Sequence, residues 1–191
     1  MTVGFTMKQN ASNNVFEAMK QYKSADNKRI VLRQALKRRP HDPQLREAVQ
    51  LLTTPQQIRR SMRQGVFINY SRTDELFALQ LREALRRVGV RVWLDLVDMD
   101  YRRDWHDEVR RALNNSGLML AVMSPAALRN DDAALEREQF AMAGKLVLPV
   151  LSQHVDLSTL DFWLHPVDFT RGFENGLHQL RQLIQSPAVS A

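Results

Sequence analysis

The chain has 191 residues and no cysteine, and its 27 Lys and Arg residues against 21 Asp and Glu give a formal net charge of +6. This length suits one ordinary domain with an additional segment. A hydrophobic fraction of 44% is enough for a buried core, which excludes wholesale disorder. The absence of cysteine excludes a disulfide framework, a thiolate zinc site and a cysteine nucleophile, and we expect a cytoplasmic protein.

The charge is unevenly distributed along the chain. Residues 1–64 contain 13 Lys and Arg against 4 Asp and Glu, a net charge of +9, whereas residues 65–191 contain 14 against 17, a net charge of −3. This asymmetry predicts a basic N-terminal segment over 1–64 and a second domain over 65–191. The first residues lack a charged n-region and an apolar stretch, and no apolar run could span a bilayer, so we expect neither a signal peptide nor a transmembrane segment.

The basic segment is predicted to form short amphipathic helices. Apolar residues recur at helical spacing, and prolines divide the segment at Pro40, Pro43 and Pro55. Helices this short are unstable alone, so we expect them to pack on each other, on the second domain or on a protein partner. Residues 37–39 are basic but have no interleaved aromatic side chains, which favours a solvated helix end over nucleic-acid or acidic-membrane binding.

Apolar runs alternate with amphipathic helices along the second domain. Strands are predicted at residues 65–70, 90–94, 118–123 and 145–151, with a weaker one at 166–169, and helices lie between and after them, with one across 131–143. Strands that are apolar throughout indicate a parallel sheet covered by helices on both faces. The sequence therefore predicts an α/β fold, a flavodoxin-like doubly wound parallel sheet, preceded by a small all-helical segment.

Ligands bind such folds beyond the carboxyl ends of the strands. No glycine-rich turn follows the first strand, which excludes a dinucleotide-binding turn and a P-loop. The paired acids of a phospho-acceptor receiver are absent too. The histidines show no paired metal spacing, and the run Asp95, Asp98 and Asp100 lacks the glycine and final glutamate of a calcium loop, so we interpret it as a solvated turn and predict no metal and no cofactor.

The remaining polar and aromatic residues form an ordered pattern across the second domain. It consists of Phe67-Ile68-Asn69-Tyr70-Ser71-x-x-Asp74, Gly89-x-x-Val92-Trp93-x-Asp95, Trp105, Ser124-Pro125, and Glu136 eight residues before Gly144. In order and spacing this pattern resembles the Toll/interleukin-1 receptor (TIR) domain family over roughly residues 65–185. Some members of that family are protein-interaction adaptors, and others, including bacterial ones, cleave NAD between nicotinamide and ribose.

The resemblance implies a site and an activity. Enzymatic members carry a glutamate on the helix after the third strand, in a pattern like Trp-x-x-x-Glu, and the spacing puts Glu136 there, with Glu138 as its rival. NAD is then the substrate, and the product is ADP-ribose or its cyclised form, in defence or signalling. The expected substrate contacts are Asn69, Tyr70, Arg72, Asp95, Trp105 and Ser124. Association of two or more TIR domains is also implied.

The chain departs from the family pattern at three places, and the first two departures favour an alternative function. Asn69 replaces the usual serine, Asp132 occupies the position of the tryptophan four residues before the glutamate, and the loop after Asp95 lacks its usual glycine. The alternative is a non-catalytic scaffold that recruits partners through TIR–TIR association, with residues 101–103 of that loop in the contact.

Overall fold

The structure is a computed structural model and describes residues 15, 17, 19–21, 25–39, 42–100, 102, 104–157 and 164–185. The chain folds as two compact units, Met1–Thr54 and Pro55–Ala191. No helix in the described ranges combines the length and the apolar character needed to cross a bilayer.

In the first unit, helices α1 (Ala25–Arg38) and α2 (Pro43–Leu52) are in mutual contact. Each has a fully buried leucine, Leu32 on α1 and Leu45 on α2. Asp42 stabilises the start of α2, because its Oδ1 accepts hydrogen bonds from the backbone N–H groups of Gln44 and Leu45 at 3.1 and 3.2 Å. Pro43 suits the first helical turn, where a missing N–H breaks no helical hydrogen bond. The prediction of helices before the first strand is confirmed.

The second unit begins at Pro55, earlier than the boundary predicted from charge. Helix α3 (Pro55–Arg63) buries Ile58 and Met62 in the same hydrophobic cluster as the central strands. A Cβ added at Gly117, just before the third strand, would lie 2.4 Å from the carbonyl oxygen of Ser61, so α3 packs directly against that strand start. Charge counting grouped α3 with the basic segment because its exposed face is arginine-rich, but its apolar face places it in the α/β unit.

Strands and helices alternate through the rest of the second unit. The strands are β1 (Val66–Asn69), β2 (Val92–Trp93), β3 (Leu118–Met123), β4 (Leu146–Leu151) and β5 (Val167–Asp168). The helices are α4 (Glu75–Arg86), α5 (Asp95–Asp98), α6 (Trp105–Asn115), α7 (Asp131–Met142) and α8 (Phe173–Gln185), with 3-10 turns at Arg72–Asp74 and Ala127–Arg129.

The five strands form one parallel sheet in the order β2-β1-β3-β4-β5. This is the strand order of flavodoxin-like folds, so the predicted fold class is confirmed. Central strand β3 pairs along its whole length with β4 and along four residues with β1. Edge strand β2 is shorter than predicted, because only Val92 and Trp93 pair with β1.

Helices cover both faces of the sheet. Within β1, Val66 and Ile68 belong to one hydrophobic cluster, which α3, α4 and α8 complete, whereas Phe67 belongs to a second cluster with α6 and α7. This division follows from the alternation of side chains along a strand. Burial on both faces explains why the strands are apolar throughout, and it leaves the strand ends as the place where polar side chains meet.

Candidate functional site

A cleft of about 160 Å³ opens beyond the carboxyl end of β1. A cavity of about 150 Å³ holds one benzene ring, so the cleft has room for a group of roughly that size. Four segments contribute to its walls: β1 and the turn after it, β2 and the turn after it, the start of α6, and the first half of α7. The lining residues are Phe67, Ile68, Tyr70, Arg72, Trp93, Asp95, Trp105, Val109, Asn130, Asp132, Ala133 and Glu136.

Glu136 is a partly buried carboxylate in the wall that α7 contributes. Its Oε2 accepts a hydrogen bond from Asn69 Nδ2 at 2.8 Å. Burial raises the pKa of Glu136, and the negative charges of Asp95 and Asp132 act in the same direction, while the Asn69 hydrogen bond and the charge of Arg137 oppose the rise. Glu138, the rival carboxylate, is exposed. The structure therefore brings Glu136 to the predicted edge of the sheet.

The raised pKa of Glu136 has a consequence for stability. The folded protein binds a proton at Glu136 more tightly than the unfolded chain does, so the free energy of unfolding falls as pH rises through the pKa of the folded state. We expect Glu136→Gln, which removes this charge, to be more stable than the wild type in urea unfolding at pH 7. The difference should shrink near pH 4, where an ordinary glutamate becomes protonated. Equal stabilities at pH 7 would contradict the assignment of a destabilising buried charge.

Asn69 lies behind Glu136 and not in the cleft wall. Its side chain is 1% exposed, and it ends β1 directly below α7. Besides Glu136, its Nδ2 donates to the carbonyl oxygen of Ala133 at 3.0 Å, and its Oδ1 accepts from Arg137 Nη1 at 3.2 Å. The structure therefore does not place Asn69 where a direct substrate contact was predicted, because its polar atoms are bonded to Ala133, Glu136 and Arg137.

Tyr70, Arg72 and Asp95 form a connected group that also lines the cleft. Arg72 Nη1 donates to Tyr70 Oη at 2.8 Å, and Arg72 Nη2 lies 2.7 Å from Asp95 Oδ2. Burial, together with a hydrogen bond to Asp95, raises the pKa of Tyr70, so its hydroxyl stays protonated. The Arg72 side chain is 60% exposed, so an incoming anionic group can reach it in competition with Asp95.

Aromatic side chains also line the cleft. Phe67 and Trp93 stack with ring centroids 4.9 Å apart; Phe67 belongs to the core, and Trp93 is partly buried against it. Trp105 begins α6, packs partly against the same core and lines the cleft. An aromatic ring entering the cleft therefore meets aromatic surface beside the carboxylate of Glu136.

Ser124 does not line the cleft among the residues that the structure describes, so its prediction as a substrate contact is not supported by the geometry. It is fully buried, its Oγ donates to Asp74 Oδ2 at 2.6 Å, and the same Oγ accepts from the backbone N–H of Ala127 at 3.0 Å. Ser152 Oγ donates to the other oxygen of Asp74 at 3.3 Å. Asp74 is a buried carboxylate and therefore requires hydrogen-bond donors. Ser124 and Ser152 supply them from the turns after β3 and β4.

We expect Ser124→Ala to lower the stability of the protein. The substitution leaves one oxygen of Asp74 and the Ala127 N–H without this partner, which costs about 1–3 kcal/mol of unfolding free energy. Urea unfolding followed by circular dichroism measures the loss. Wild-type stability together with an altered ligand affinity would instead indicate that Ser124 contacts the ligand.

The acidic turn after β2 contains an ion pair that the sequence did not reveal. Asp98, interpreted as solvated, accepts from Arg82 Nη2 at 2.7 Å and from Arg82 Nε at 3.2 Å, and it also accepts from the backbone N–H of Leu94 at 2.8 Å. Arg82 is buried on α4, within the stripe that contains Ala78 and Leu85. An arginine on an apolar helical stripe is the sequence signal that predicts a buried partner. Of residues 101–103, Tyr101 and Arg103 lie outside the described residues.

No group of three or more His, Asp or Glu residues with the geometry of a metal site occurs within the described ranges. The cleft does contain three carboxylates, but Asp95 already pairs with Arg72 and Glu136 with Asn69. The site is thus a small acidic cleft with aromatic walls, at the ligand-binding edge of a doubly wound α/β domain.

Comparison with known proteins identifies the family of this α/β domain. Residues 66–183 match the TIR domain family, and because the match covers more than half of the sequence, the chain belongs to this family. A search of curated proteins gave no match.

Two solved structures are also similar to parts of this chain. One is the TIR domain of the Toll-related receptor TRR-2 from Hydra magnipapillata, with 19% identity, 52% of this chain and 82% of that chain covered, and a TM-score of 0.46. The other is the CMP N-glycosidase BcmB of Clostridium botulinum, with 15% identity, 61% of this chain and 97% of that chain covered, and a TM-score of 0.44.

Proposed function

We propose that this TIR domain is an NAD glycohydrolase of the NAD-cleaving bacterial type, with Glu136 as its catalytic carboxylate. The observation that carries the proposal is the position of Glu136, a carboxylate held by an amide hydrogen bond in the wall of a ring-sized cleft beside Tyr70 and Trp105. The proposed substrate is NAD, and no cofactor is needed.

The reaction breaks the bond between ribose C1′ and the nicotinamide nitrogen. The bonding electron pair leaves with nicotinamide, which is a cation in NAD and departs neutral, so its departure needs no general acid. Positive charge develops on the ribose as in glycoside hydrolysis, and a carboxylate beside the ring stabilises that charge. Water then adds to C1′ and releases a proton, which gives ADP-ribose. Attack by an adenine nitrogen instead gives the cyclised product.

The charges in the cleft suit a cationic ring. Glu136, Asp132 and Asp95 all line it, and Asp132 stands where the family pattern has tryptophan. Trp93, Trp105 and Tyr70 supply the aromatic surface of the cleft in this chain. A pyridinium entering between these aromatic rings and the carboxylates gains both ring contact and charge attraction. The exposed side chain of Arg72 is the proposed contact for the diphosphate.

Nicotinamide release tests the proposal. The full chain at high concentration is incubated with NAD, and nicotinamide is quantified by chromatography. NADH is the matched control substrate, because its dihydronicotinamide carries no positive charge and is a far poorer leaving group. We expect release from NAD and none from NADH. Failure to release nicotinamide at any protein concentration would overturn the proposal.

A non-catalytic scaffold is the second candidate, favoured by apolar side chains exposed on α7. Leu135 is 53% and Met142 is 58% exposed, and they are seven residues apart, so they share one helical face. Such a face suits contact with another copy or another protein. This candidate predicts self-association that Leu135→Ser weakens, measured by light scattering, without release of nicotinamide.

A further inference from the structure

The orientation of the Asn69 side chain is determined by its three partners. A guanidinium has only hydrogen-bond donors, so the side-chain oxygen of Asn69 must face Arg137. The NH₂ group is thereby directed to the acceptors on the other side, Glu136 Oε2 and the carbonyl oxygen of Ala133. A flipped amide would place its oxygen against both acceptors and its NH₂ against the guanidinium.

We propose that Arg137 is a positioning residue that acts through Asn69 to hold the Glu136 carboxylate in a single orientation at the cleft wall. The proposal rests on the proposed function, in which that carboxylate faces the ribose. Neither Arg137 nor Asn69 is among the described residues that line the cleft, so neither is placed to contact substrate. We name this series Arg137–Asn69–Glu136 the amide relay.

The geometry of the helix explains why a relay is needed. Glu136 and Arg137 are consecutive in α7, and successive residues of an α-helix point about 100° apart, so the two side chains leave the helix in different directions. Asn69, arriving from β1, contacts both. Asn69, at the end of β1, thus links the guanidinium of Arg137 to the carboxylate of Glu136 by hydrogen bonds.

The burial of Arg137 indicates that its contact with Asn69 is specific. Arg137 is 9% exposed, and burial lowers its pKa, so the helix holds a cation at an energetic cost. A surface arginine of the same region, Arg129, is exposed instead. A buried cation next to a carboxylate at the cleft offsets part of the cost of keeping that carboxylate charged.

The other charges near Glu136 act against ionisation or are already engaged. Asp95 of α5 and Asp132 of α7 raise the pKa of Glu136. Arg72, after β1, faces the same cleft but pairs with Asp95, and Tyr70 beside it stays protonated. From α6, the lining residues are Trp105 and Val109, which carry no charge. Arg137, acting through Asn69, is therefore the cation that we expect to keep Glu136 ionised at neutral pH.

Arg137→Met tests the relay, because methionine keeps much of the length and removes the guanidinium. The matched control is Arg129→Met, which removes one exposed positive charge from the residues just before α7. The readouts are the pH profile of kcat for nicotinamide release and the carboxyl carbon titration of Glu136 by NMR, assigned by its loss in Glu136→Gln. The titration requires no activity.

For Arg137→Met we expect kcat at pH 7 to fall about tenfold with KM little changed, since a charge-assisted interaction is lost away from the substrate. The acid limb of the pH profile and the Glu136 titration should both move to higher pH, because loss of the cation and of the fixed donor disfavours the charged form. Arg129→Met should leave both unchanged. A merely structural role for Arg137 would lower stability without moving the titration.

Asn69→Ser is the second variant, in case Arg137→Met does not fold. Serine is the residue usual at this position in the family pattern, and its shorter side chain cannot contact Arg137 and Glu136 together, so the titration should again move to higher pH. An unchanged Glu136 titration in either folded variant would overturn the relay. Absence of nicotinamide release by the wild type would overturn the proposed function alone, because the titration still tests the relay.

Discussion

Glu136→Gln is expected to lower the rate of nicotinamide release by about 10³-fold. The substitution keeps the shape of the side chain and its bond to Asn69, since an amide oxygen also accepts a hydrogen bond from Nδ2. It removes the negative charge beside the ribose, and loss of one electrostatic contact to a developing charge costs about 10²–10³-fold or more in kcat. Chromatographic assay of nicotinamide at saturating NAD measures the effect.

The matched control for this substitution is Glu138→Gln. Glu138 lies two residues further along α7, carries the same charge and is exposed. It should retain the wild-type rate. Equal losses in the two variants would show that the total charge of the helix matters and not the position of Glu136. Equal rates in all three proteins would remove Glu136 from the mechanism.

Asp98→Ala is expected to lower the free energy of unfolding by about 3 kcal/mol. Arg82 has a side chain only 9% exposed, and it would lose both bonds to its partner and remain as a buried unpaired cation. Asp98 also ends α5, the short helix that begins at Asp95, so the wall of the cleft formed by Asp95 and Arg72 should lose its fixed position. Urea unfolding and the KM for NAD, which should rise, are the two measurements.

The double variant Arg82→Leu with Asp98→Ala is the control. Replacing a buried ion pair by apolar side chains is often neutral for stability, so the double variant should regain much of the loss. Its KM for NAD should stay raised, because the turn is still not anchored. A double variant less stable than Asp98→Ala would contradict the buried-cation explanation.

The fold could be predicted from the sequence because its strands are buried on both faces. Runs such as Leu118–Met123 are apolar without alternation, which is typical of a central parallel strand. The predicted domain boundary differs from the start of the second compact unit at Pro55, because charge reports the exposed face of a helix. Ile58 and Met62, on the other face of α3, decide to which unit the helix belongs.

The candidate site was predictable in part. The ends of parallel strands meet at one edge, so Tyr70, Arg72 and Asp95 could be expected together, and the spacing to Glu136 came from the family pattern. The direction of the Ser124 hydroxyl could not be predicted, because Ser124 donates its hydrogen bond to Asp74, fifty residues earlier in the chain. The same holds for Arg137, whose partner Asn69 is brought to it only by the packing of α7 over β1.

The brevity of β2 has a consequence for how the domain fluctuates. Two residues pair β2 with β1, whereas β3 is paired on both sides in the middle of the sheet. In native-state hydrogen exchange, the amides of β2 should open locally at low free energy, and those of β3 only with global unfolding. Trp93 belongs to β2 and lines the cleft, so we expect local opening of β2 to change the shape of the cleft on that side while the rest of the sheet stays closed.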